Sequence, residues 1–523
     1  MKFLNLARKE LFFVSAVAIT LIIVTSLPYF WGYHSVTSGK YLGASYFLPG
    51  DYYSYLSWIT QAENGTIFMR NLYAPEYQGG FLFHPIFLLL GLLSKLFAIS
   101  APVIYHLARI FFIAVFCFFV YALYSLMTEK IQERRVALLL LVSTAGFGSF
   151  LGKISADIWM PEINMFFSFY LSVLNVASLS LVLLFAIVVL KNFHKRNWLA
   201  VVFCAGLLST LSLIHSYDVI LLGGIILVYS IARIILYGEF EFFMNVLWTF
   251  ALTLPAVIWQ STVLANDEGL SMWYFTQMFT PSPILFSYIF GLGILLFFAC
   301  IGIYFSHSTI SREKLFFLVW LAVVFLLLYN PFFPDLQRRF SEGIQIPLAF
   351  FASIAVLFFL NKRRVVRFVV ILLLVTSLLT NIQIIYKDMF VYPSSEKPRM
   401  LSRDEVAAIE WINKNVETND VVLSEVFMGN IIPALTGRLV YMGHSDLTLN
   451  FAMKNHLLGY AFALGPSAPR LWSRLLHNGH IRYVVEDNEV RALGGSLRYV
   501  FGLKPVFLSD TVVIYSVAMD HVN

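Results

Sequence analysis

Asp51 stands alone as a charge among apolar and aromatic residues, just after a Pro49–Gly50 turn. A carboxylate in such surroundings can take a proton from an attacking hydroxyl group, which is general base catalysis. Aspartate is also a preferred helix N-cap, so Asp51 would equally suit the start of a helix over 52–62. The two roles are compatible, and both are kept as expectations.

A short polar connection further along the chain carries two more carboxylates, Asp157 and Glu162. If they meet Asp51, the three groups can bind a divalent metal ion, or one can act as a base while the others order substrate hydroxyls. The alternative is structural. Both residues would then cap the next helix, with Pro161 near its first turn.

His215 and Asp218 are three residues apart at the end of an apolar run. An imidazole and a carboxylate at this spacing can form half of a zinc site, but no third ligand is evident nearby. The pair is therefore interpreted first as a polar wall that binds a sugar.

The composition identifies the class of protein in which these residues occur. The chain has 523 residues, of which 59% are hydrophobic and 13% charged. Soluble proteins carry about 25% charged residues. The excess of apolar residues excludes a soluble enzyme, a disordered chain and a nucleic-acid-binding protein, and predicts a polytopic membrane protein. Its three cysteines lie inside apolar runs, so neither a disulfide framework nor a thiol metal site is expected.

Apolar runs long enough to cross a membrane, about 20 residues each, predict eleven spans. The run at 83–97 is too short and is interpreted as an interfacial or re-entrant helix; a short true span is the alternative. No cleavage site follows the first run, so we do not expect a removable signal peptide. The predicted spans lie near 11–27, 103–127, 135–152, 164–190, 198–214, 219–236, 243–263, 284–305, 314–329, 345–360 and 367–386.

Lysine and arginine positions predict the orientation, because cytoplasmic loops carry most of them. Basic residues precede the first span and recur in alternate connections, which predicts a cytoplasmic N-terminus. The long stretches 28–102 and 264–283 and everything after about 387 then lie outside. A membrane domain over 1–386 and an extracytoplasmic domain over 387–523 follow from this assignment.

Arg338 and Arg339 fall on the predicted outer face, against the general charge trend. Either Asp335 and Glu342 pair with them, or they clamp an anion, since arginine forks suit phosphate. Arg109, near the outer end of the second span, is a further candidate for the same anion.

The C-terminal tail, which comprises the residues after about 387, differs in composition from the apolar region before it. Its pattern predicts a small α/β domain. Ser402 and Glu405 form a capping-box pattern ahead of an amphipathic helix. Short apolar runs separated by Gly, Asn and Asp then predict strands. The predicted strands are 421–423, 439–442, 483–486, 505–508 and 512–517.

The order of these features resembles the C-type (GT-C fold) membrane glycosyltransferases, which include protein O-mannosyltransferases, aminoarabinose transferases and the catalytic subunit of oligosaccharyltransferase. The resemblance is carried by Gly50-Asp51-Tyr52 in a long first outer loop, by the acidic second outer loop, and by a His84–Pro85 apolar segment before Arg109. It covers the first 200 residues in pattern and the whole chain in architecture.

The resemblance implies an inverting transfer of a sugar from a polyprenyl-phosphate donor to a glycan, lipid or protein acceptor at the outer face of a prokaryotic plasma membrane. Asp51 matches the family's catalytic acidic residue. Arg109, Arg338 and Arg339 are candidates for the lipid phosphate. No cofactor is certain; a divalent metal ion is possible, although the acidic loop lacks the Asp-x-Asp pair of the metal-dependent branch. The candidate substrate-binding residues are Asp157, Glu162, His215, Asp218 and Glu342.

A non-catalytic transporter or flippase of a lipid-linked glycan is the alternative from a different class. It predicts internal repeats and ionisable groups near the middle of several spans. The charged residues instead collect at the outer ends of the spans, and no repeat is evident.

Overall fold

The computed structural model describes residues 7–76, 78, 82–266, 271, 279–307 and 310–518. Most of the predicted outer stretch 264–283 lies outside the described residues. The chain divides into two compact units. The first comprises Met1–Pro28, His106–Gln260 and Met278–Val391, and the second comprises Tyr29–Tyr105, Ser261–Gln277 and Tyr392–Asn523. Residues Tyr29–Tyr105 are thus grouped with the C-terminal region, and the domain boundary at 386 stays a prediction.

Long apolar helices dominate the first unit, as expected of a multi-pass membrane protein. Besides Pro85–Phe97, the apolar helices that the described residues form outside the C-terminal region are Arg8–Ser35, Ala101–Met127, Ile131–Ser143, Gly148–Leu151, Met165–Leu171, Val173–Asn192, Trp198–Ile214, Ser216–Tyr237, Phe240–Asn266, Leu285–Ser306, Arg312–Leu327, Gln345–Leu360, Arg364–Thr376 and Leu379–Tyr386.

Within the described residues, eight helices are long and apolar enough to cross a membrane. Counting the bent pair Pro334–Ser341 and Gln345–Leu360 as one span makes nine, so the predicted count of eleven is not confirmed. The reason is length, because Trp198–Ile214 and Arg312–Leu327 contain only 17 and 16 residues. The predicted span 164–190 is also broken at Ser172, whose hydroxyl caps a new helix.

Helices of the first unit approach one another closely where glycine removes the side chain. A Cβ at Gly302, in Leu285–Ser306, would lie 1.8 Å from the carbonyl oxygen of Phe351 in Gln345–Leu360. Any larger residue would force these two helices apart, so glycine is required here.

The second unit is built on a five-stranded sheet of order β4-β3-β5-β7-β6. β3, β4 and β5 are parallel, and β7 runs antiparallel between β5 and β6. β1 and β2 form a separate antiparallel pair. The strands are β1 Lys40–Tyr41, β2 Met400–Leu401, β3 Val421–Leu423, β4 Leu439–Val440, β5 Ile481–Glu486, β6 Leu503–Leu508 and β7 Val513–Val517. All five runs predicted as strands in the tail therefore form strands.

A helix from the region after the first span packs with a helix of the C-terminal region in this unit. Thr60, in Pro49–Glu63, donates a hydrogen bond of 2.7 Å to the carbonyl of Ala434 in Val426–Thr436. The predicted interfacial segment forms Pro85–Phe97, a helix of 13 residues. The other helices of the unit are Arg403–Asn415, Phe451–Leu464, Pro469–Asn478 and Asn488–Gly494.

The capping box at the start of Arg403–Asn415 is present, which confirms the prediction. The Ser402 hydroxyl accepts from the Glu405 N–H, and the Glu405 carboxylate accepts from the Ser402 N–H. Both bonds satisfy backbone donors that the helix itself leaves unpaired.

Replacement of Ser402 by alanine is expected to destabilise the protein by about 1 kcal/mol, because one backbone donor loses its partner. Pulse proteolysis of the full chain in detergent, across a urea series, measures the change. Ser402→Thr keeps the hydroxyl and is the matched control. Equal losses in both variants would contradict a capping role.

Candidate functional site

Asp51 lies in the first turn of the helix Pro49–Glu63 in the second unit. The N-cap of this helix is Leu48, so the predicted capping role of Asp51 is wrong; Pro49 begins the helix three residues earlier than the pattern suggested. A carboxylate in the first turn is still stabilised by the helix dipole. The side chain of Asp51 is 38% exposed, which leaves its oxygens open to a substrate.

His444 lies beside Asp51, and sequence reasoning missed it. Its Nε2 is 3.8 Å from Asp51 Oδ1, and its ring is buried against Tyr73. The Asp446 N–H donates to His444 Nδ1 at 3.1 Å, so a neutral ring carries its proton on Nε2, the nitrogen facing Asp51. A Cβ at Gly50 would lie 3.0 Å from the same Nε2. Glycine at position 50 therefore lets the histidine approach.

Glu162, Arg338 and Arg339 form an ion-pair group in the first unit. Glu162 Oε1 is 2.9 Å from Arg339 Nη1 and 3.5 Å from Arg338 Nη2. The sequence suggested Asp335 and Glu342 as partners of these arginines, but the structure supplies Glu162, from the 3₁₀ turn Pro161–Ile163. Burial alone would raise the pKa of Glu162, yet the two guanidinium groups outweigh burial and hold that pKa below its usual value.

His215, Asp218 and Glu342 converge next to this group. His215 Nδ1 is 2.8 Å from Asp218 Oδ2 and 3.8 Å from Glu342 Oε2, and all three side chains are buried. The Tyr217 hydroxyl contacts His215 Nε2 and lies 3.3 Å from Glu342 Oε2. Glu342, from a distant part of the chain, is thus a third side chain whose oxygen lies close enough to act as a ligand, and the sequence did not reveal this proximity. Tyr217 was also missed, because neither spacing nor charge distinguishes it.

Asp157, another predicted site residue, makes contacts that hold the first unit together. The buried Asp157 accepts hydrogen bonds from the Gly146 and Gly148 N–H groups and from the Ser155 hydroxyl. Burial raises the pKa of Asp157 despite these bonds. It does not cap the helix Met165–Leu171, and neither does Glu162, because Asn164 accepts from the Phe167 N–H there.

Arg109 is buried and joins three parts of the first unit. Its Nη1 donates to the Thr25 hydroxyl at 2.9 Å and to the Phe169 carbonyl at 3.2 Å, and its Nη2 donates to the Ser26 hydroxyl at 2.8 Å. These contacts tie neighbouring helices to one another. A phosphate contact of Arg109 stays a prediction.

A second acidic group surrounds Lys397 in the second unit. Lys397 Nζ is 3.0 Å from Glu405, 3.2 Å from Asp487 and 3.1 Å from Glu489. A carboxylate oxygen of Glu425 also lies within 4.8 Å of carboxylate oxygens of Asp487 and Glu489. The ammonium group of Lys397 already supplies a cation to this cluster, so we interpret it as an ion-pair network.

The stability of the protein is expected to fall as pH rises from about 4.5 to about 8 because of Glu425. Burial, with the adjacent Asp487 carboxylate, raises the pKa of Glu425 from 4.5 to about 8. In this window the folded state holds a proton that the unfolded chain releases, so raising the pH favours unfolding. Thermal unfolding between pH 5 and 8 measures the slope. Glu425→Gln keeps an oxygen that can accept from the Phe427 and Met428 N–H groups and is expected to flatten the slope; an unchanged slope would contradict the assignment.

The predicted site residues therefore belong to two units. Asp51 lies in the second, together with His444, which was not predicted, whereas the other predicted site residues lie in the first. The convergence of Asp51 with Asp157 and Glu162 stays a prediction.

The fold of the chain is that of the C-type membrane glycosyltransferases. No protein-family model and no curated protein matches the sequence, whereas solved structures match it over nearly its whole length. Oligosaccharyltransferase AglB from Archaeoglobus fulgidus, in complex with an inhibitory peptide and a dolichol-phosphate, is 14% identical; the match has a TM-score of 0.53 and covers 97% of this chain and 74% of that one.

Two further structures agree with this fold. ArnT from Cupriavidus metallidurans bound to undecaprenyl phosphate is 11% identical, with a TM-score of 0.52, and the match covers 99% of this chain and 100% of that one. The arabinofuranosyltransferase AftD from Mycobacteria, as an R1389S mutant, is 13% identical with a TM-score of 0.51; the match covers 100% of this chain and 42% of that one. At these identities the similarity establishes the fold, which confirms the resemblance inferred from the sequence.

Proposed function

We propose that this protein is a glycosyltransferase that moves a sugar from a polyprenyl-phosphate carrier to an acceptor at the outer face of the membrane. The observation that carries the proposal is the fold shared over almost the entire chain with enzymes solved in complex with dolichol-phosphate and undecaprenyl phosphate. The exposed carboxylate of Asp51 and the partly exposed arginine pair, each considered within its own unit, provide groups that this reaction needs.

Asp51 is the proposed general base. Its exposed carboxylate takes the proton of the acceptor hydroxyl as that oxygen attacks the anomeric carbon. The bond from this carbon to the lipid phosphate oxygen breaks, and its electron pair leaves with the phosphate. A single displacement of this kind inverts the anomeric centre. His444 is a positioning residue, because its buried ring lies against the turn that carries Asp51.

Arg338 and Arg339 are the proposed partners of the leaving phosphate. Their side chains are 23% and 20% exposed, and Glu162 holds both guanidinium groups from the buried side. Arg338 Nε, a buried donor, has no hydrogen-bond partner among the described residues. A phosphate oxygen would satisfy it, and positive charge here would stabilise the leaving group.

Transfer of radiolabelled sugar from a panel of polyprenyl-phosphate donors tests the proposal. Membranes that contain the protein are expected to pass label from the donor to an acceptor fraction, whereas matched membranes without it are not. The anomeric configuration of the product reports inversion. Product of retained configuration would contradict the single displacement.

The flippase alternative gives a different result in the same membranes. A flippase would move the intact lipid-linked sugar between leaflets and leave the sugar–phosphate bond unbroken. Proteoliposomes loaded with donor on one side separate the two activities. Translocation of intact donor without release of the lipid phosphate would overturn the proposed function.

A further inference from the structure

A buried cluster at the start of the helix Ser216–Tyr237 has the donor set of a metal site. His215 Nδ1, one Asp218 oxygen and one Glu342 oxygen all lie within 4.8 Å of one another. One imidazole nitrogen and two carboxylates are ligands that zinc and manganese ions accept. Among the described residues, one other group has this spacing and consists of Glu425, Asp487 and Glu489. The ammonium group of Lys397 already pairs with that group.

The charges in the cluster favour an added cation. Arg338 and Arg339 contact Glu162, and His215 is the basic residue in contact with both Asp218 and Glu342. Glu162, Asp218 and Glu342 are three buried carboxylates facing two guanidinium groups. With a neutral imidazole, negative charge therefore remains in a region of low dielectric constant, which is costly unless a proton or a metal cation offsets it. A divalent ion would provide that charge.

Contacts on the far side of the imidazole orient it for metal binding. His215 Nε2 contacts the Tyr217 hydroxyl, which also lies 3.3 Å from Glu342 Oε2. If Nε2–H donates to Tyr217 and the tyrosine donates to Glu342, then Nδ1 presents its lone pair toward the two carboxylates. Metal-binding histidines are commonly held through their second nitrogen in this way.

A small cavity beside the cluster provides an independent indication. Its volume is about 10 Å³, and its lining includes Asp218, Glu342 and Trp320 among aliphatic side chains. Two buried atoms of this lining, Glu342 Oε1 and Trp320 Nε1, have no hydrogen-bond partner among the described residues. A cavity of this size holds about one water molecule, which can hydrogen-bond both atoms and also bind a metal ion.

We propose that His215, Asp218 and Glu342 bind one divalent transition-metal ion, with a water molecule in the adjacent cavity as a further ligand. The site holds together the start of Ser216–Tyr237 and the segment that follows the arginine pair. It does not depend on the proposed glycosyltransferase activity, because it follows from the donor set, the buried charge and the cavity alone.

Metal analysis of the purified full-length protein tests the site. After chelation, exposure to Zn²⁺ and removal of free ion, the wild type is expected to retain about one ion per chain. Asp218→Asn and Glu342→Gln preserve side-chain shape and are expected to weaken Zn²⁺ binding by at least about tenfold. Glu489→Gln, a carboxylate-to-amide change in the Lys397 cluster, is the matched control and is expected to retain the ion. A parallel series with Mn²⁺ compares the two ions.

A spectroscopic measurement on the wild type avoids dependence on the folding of the variants. Co²⁺ bound through one imidazole and two carboxylates in a site of low coordination number absorbs visible light, and Zn²⁺ would displace it and abolish the band. Zn²⁺ is also expected to raise the thermal midpoint of the wild type and of Glu489→Gln, but not that of Asp218→Asn. Absence of stoichiometric metal and of the Co²⁺ band in the wild type, or equal retention by Asp218→Asn, would overturn the proposal. Loss of sugar transfer would not bear on it.

Discussion

Asp51→Asn is expected to lower the rate of sugar transfer by about 100- to 10,000-fold, the usual contribution of a general base. Asparagine has nearly the same shape as aspartate but cannot accept the acceptor's proton at neutral pH. Initial rates with a labelled donor, at equal amounts of folded protein, measure the loss. Because the Asp51 side chain is 38% exposed and its contact with His444 is 3.8 Å long, little change in thermal stability is expected.

Two further variants separate base catalysis from a general effect of charge. Asp51→Glu keeps a carboxylate near the same position and is expected to retain part of the activity. Asp510→Asn removes an exposed carboxylate in the loop between β6 and β7 and is expected to leave the rate unchanged. If Asp51→Asn transferred sugar as fast as the wild type, the base would have to be sought elsewhere, first at Asp157 and Glu162.

Arg339→Gln is expected to lower kcat by about 100- to 1,000-fold. This loss is comparable to that caused by removing one hydrogen-bond donor to an oxygen that becomes negatively charged in the transition state. The side chain is 20% exposed, and its Nη1 contacts Glu162 at 2.9 Å. Its guanidinium also lies 5.5 Å from the centre of the Tyr217 ring. These contacts fix the direction of the remaining N–H groups, which is what a planar fork needs in order to bind phosphate.

Comparison with further variants distinguishes a role of Arg339 in phosphate binding from a role in supporting the fold. Glu162 would still have Arg338 at 3.5 Å, so its buried charge would remain partly paired and the protein is expected to fold. Arg339→Lys keeps the charge but loses the fork, and an intermediate rate is expected. Arg491→Gln breaks the pair with Glu486 in the second unit and is the matched control, with transfer unchanged. A loss in Arg339→Gln confined to the KM of the acceptor would contradict a role at the donor phosphate.

Features of the fold that depend on local sequence were predicted well. A run of about 20 apolar residues must form a helix in a membrane, because every backbone polar group has to be satisfied within the segment. The capping box at Ser402 and the strand Val421–Leu423 depend on residues a few positions apart, and both are present as expected. The orientation of the spans stays a prediction.

Errors arose where a second local signal competed with the pattern, or where a contact from a distant segment decided the outcome. The run 164–190 reads as one apolar segment, yet Ser172 caps a new helix inside it. Asp51 has the residue type of an N-cap, but Pro49 begins the helix earlier. Arg338 and Arg339 have two acidic neighbours in sequence, whereas the carboxylate that contacts both of them is Glu162.

The sequence by itself determined the class of protein, the apolar helices, the sheet-containing tail and the residue types capable of chemistry, because hydrophobic length, periodicity and capping are local properties of a chain. Only the tertiary structure decided which of those residues meet. His444 lies against Asp51, and Glu342 completes the group begun by His215 and Asp218. Such contacts join segments that are remote in sequence, so no spacing or periodicity along the chain encodes them.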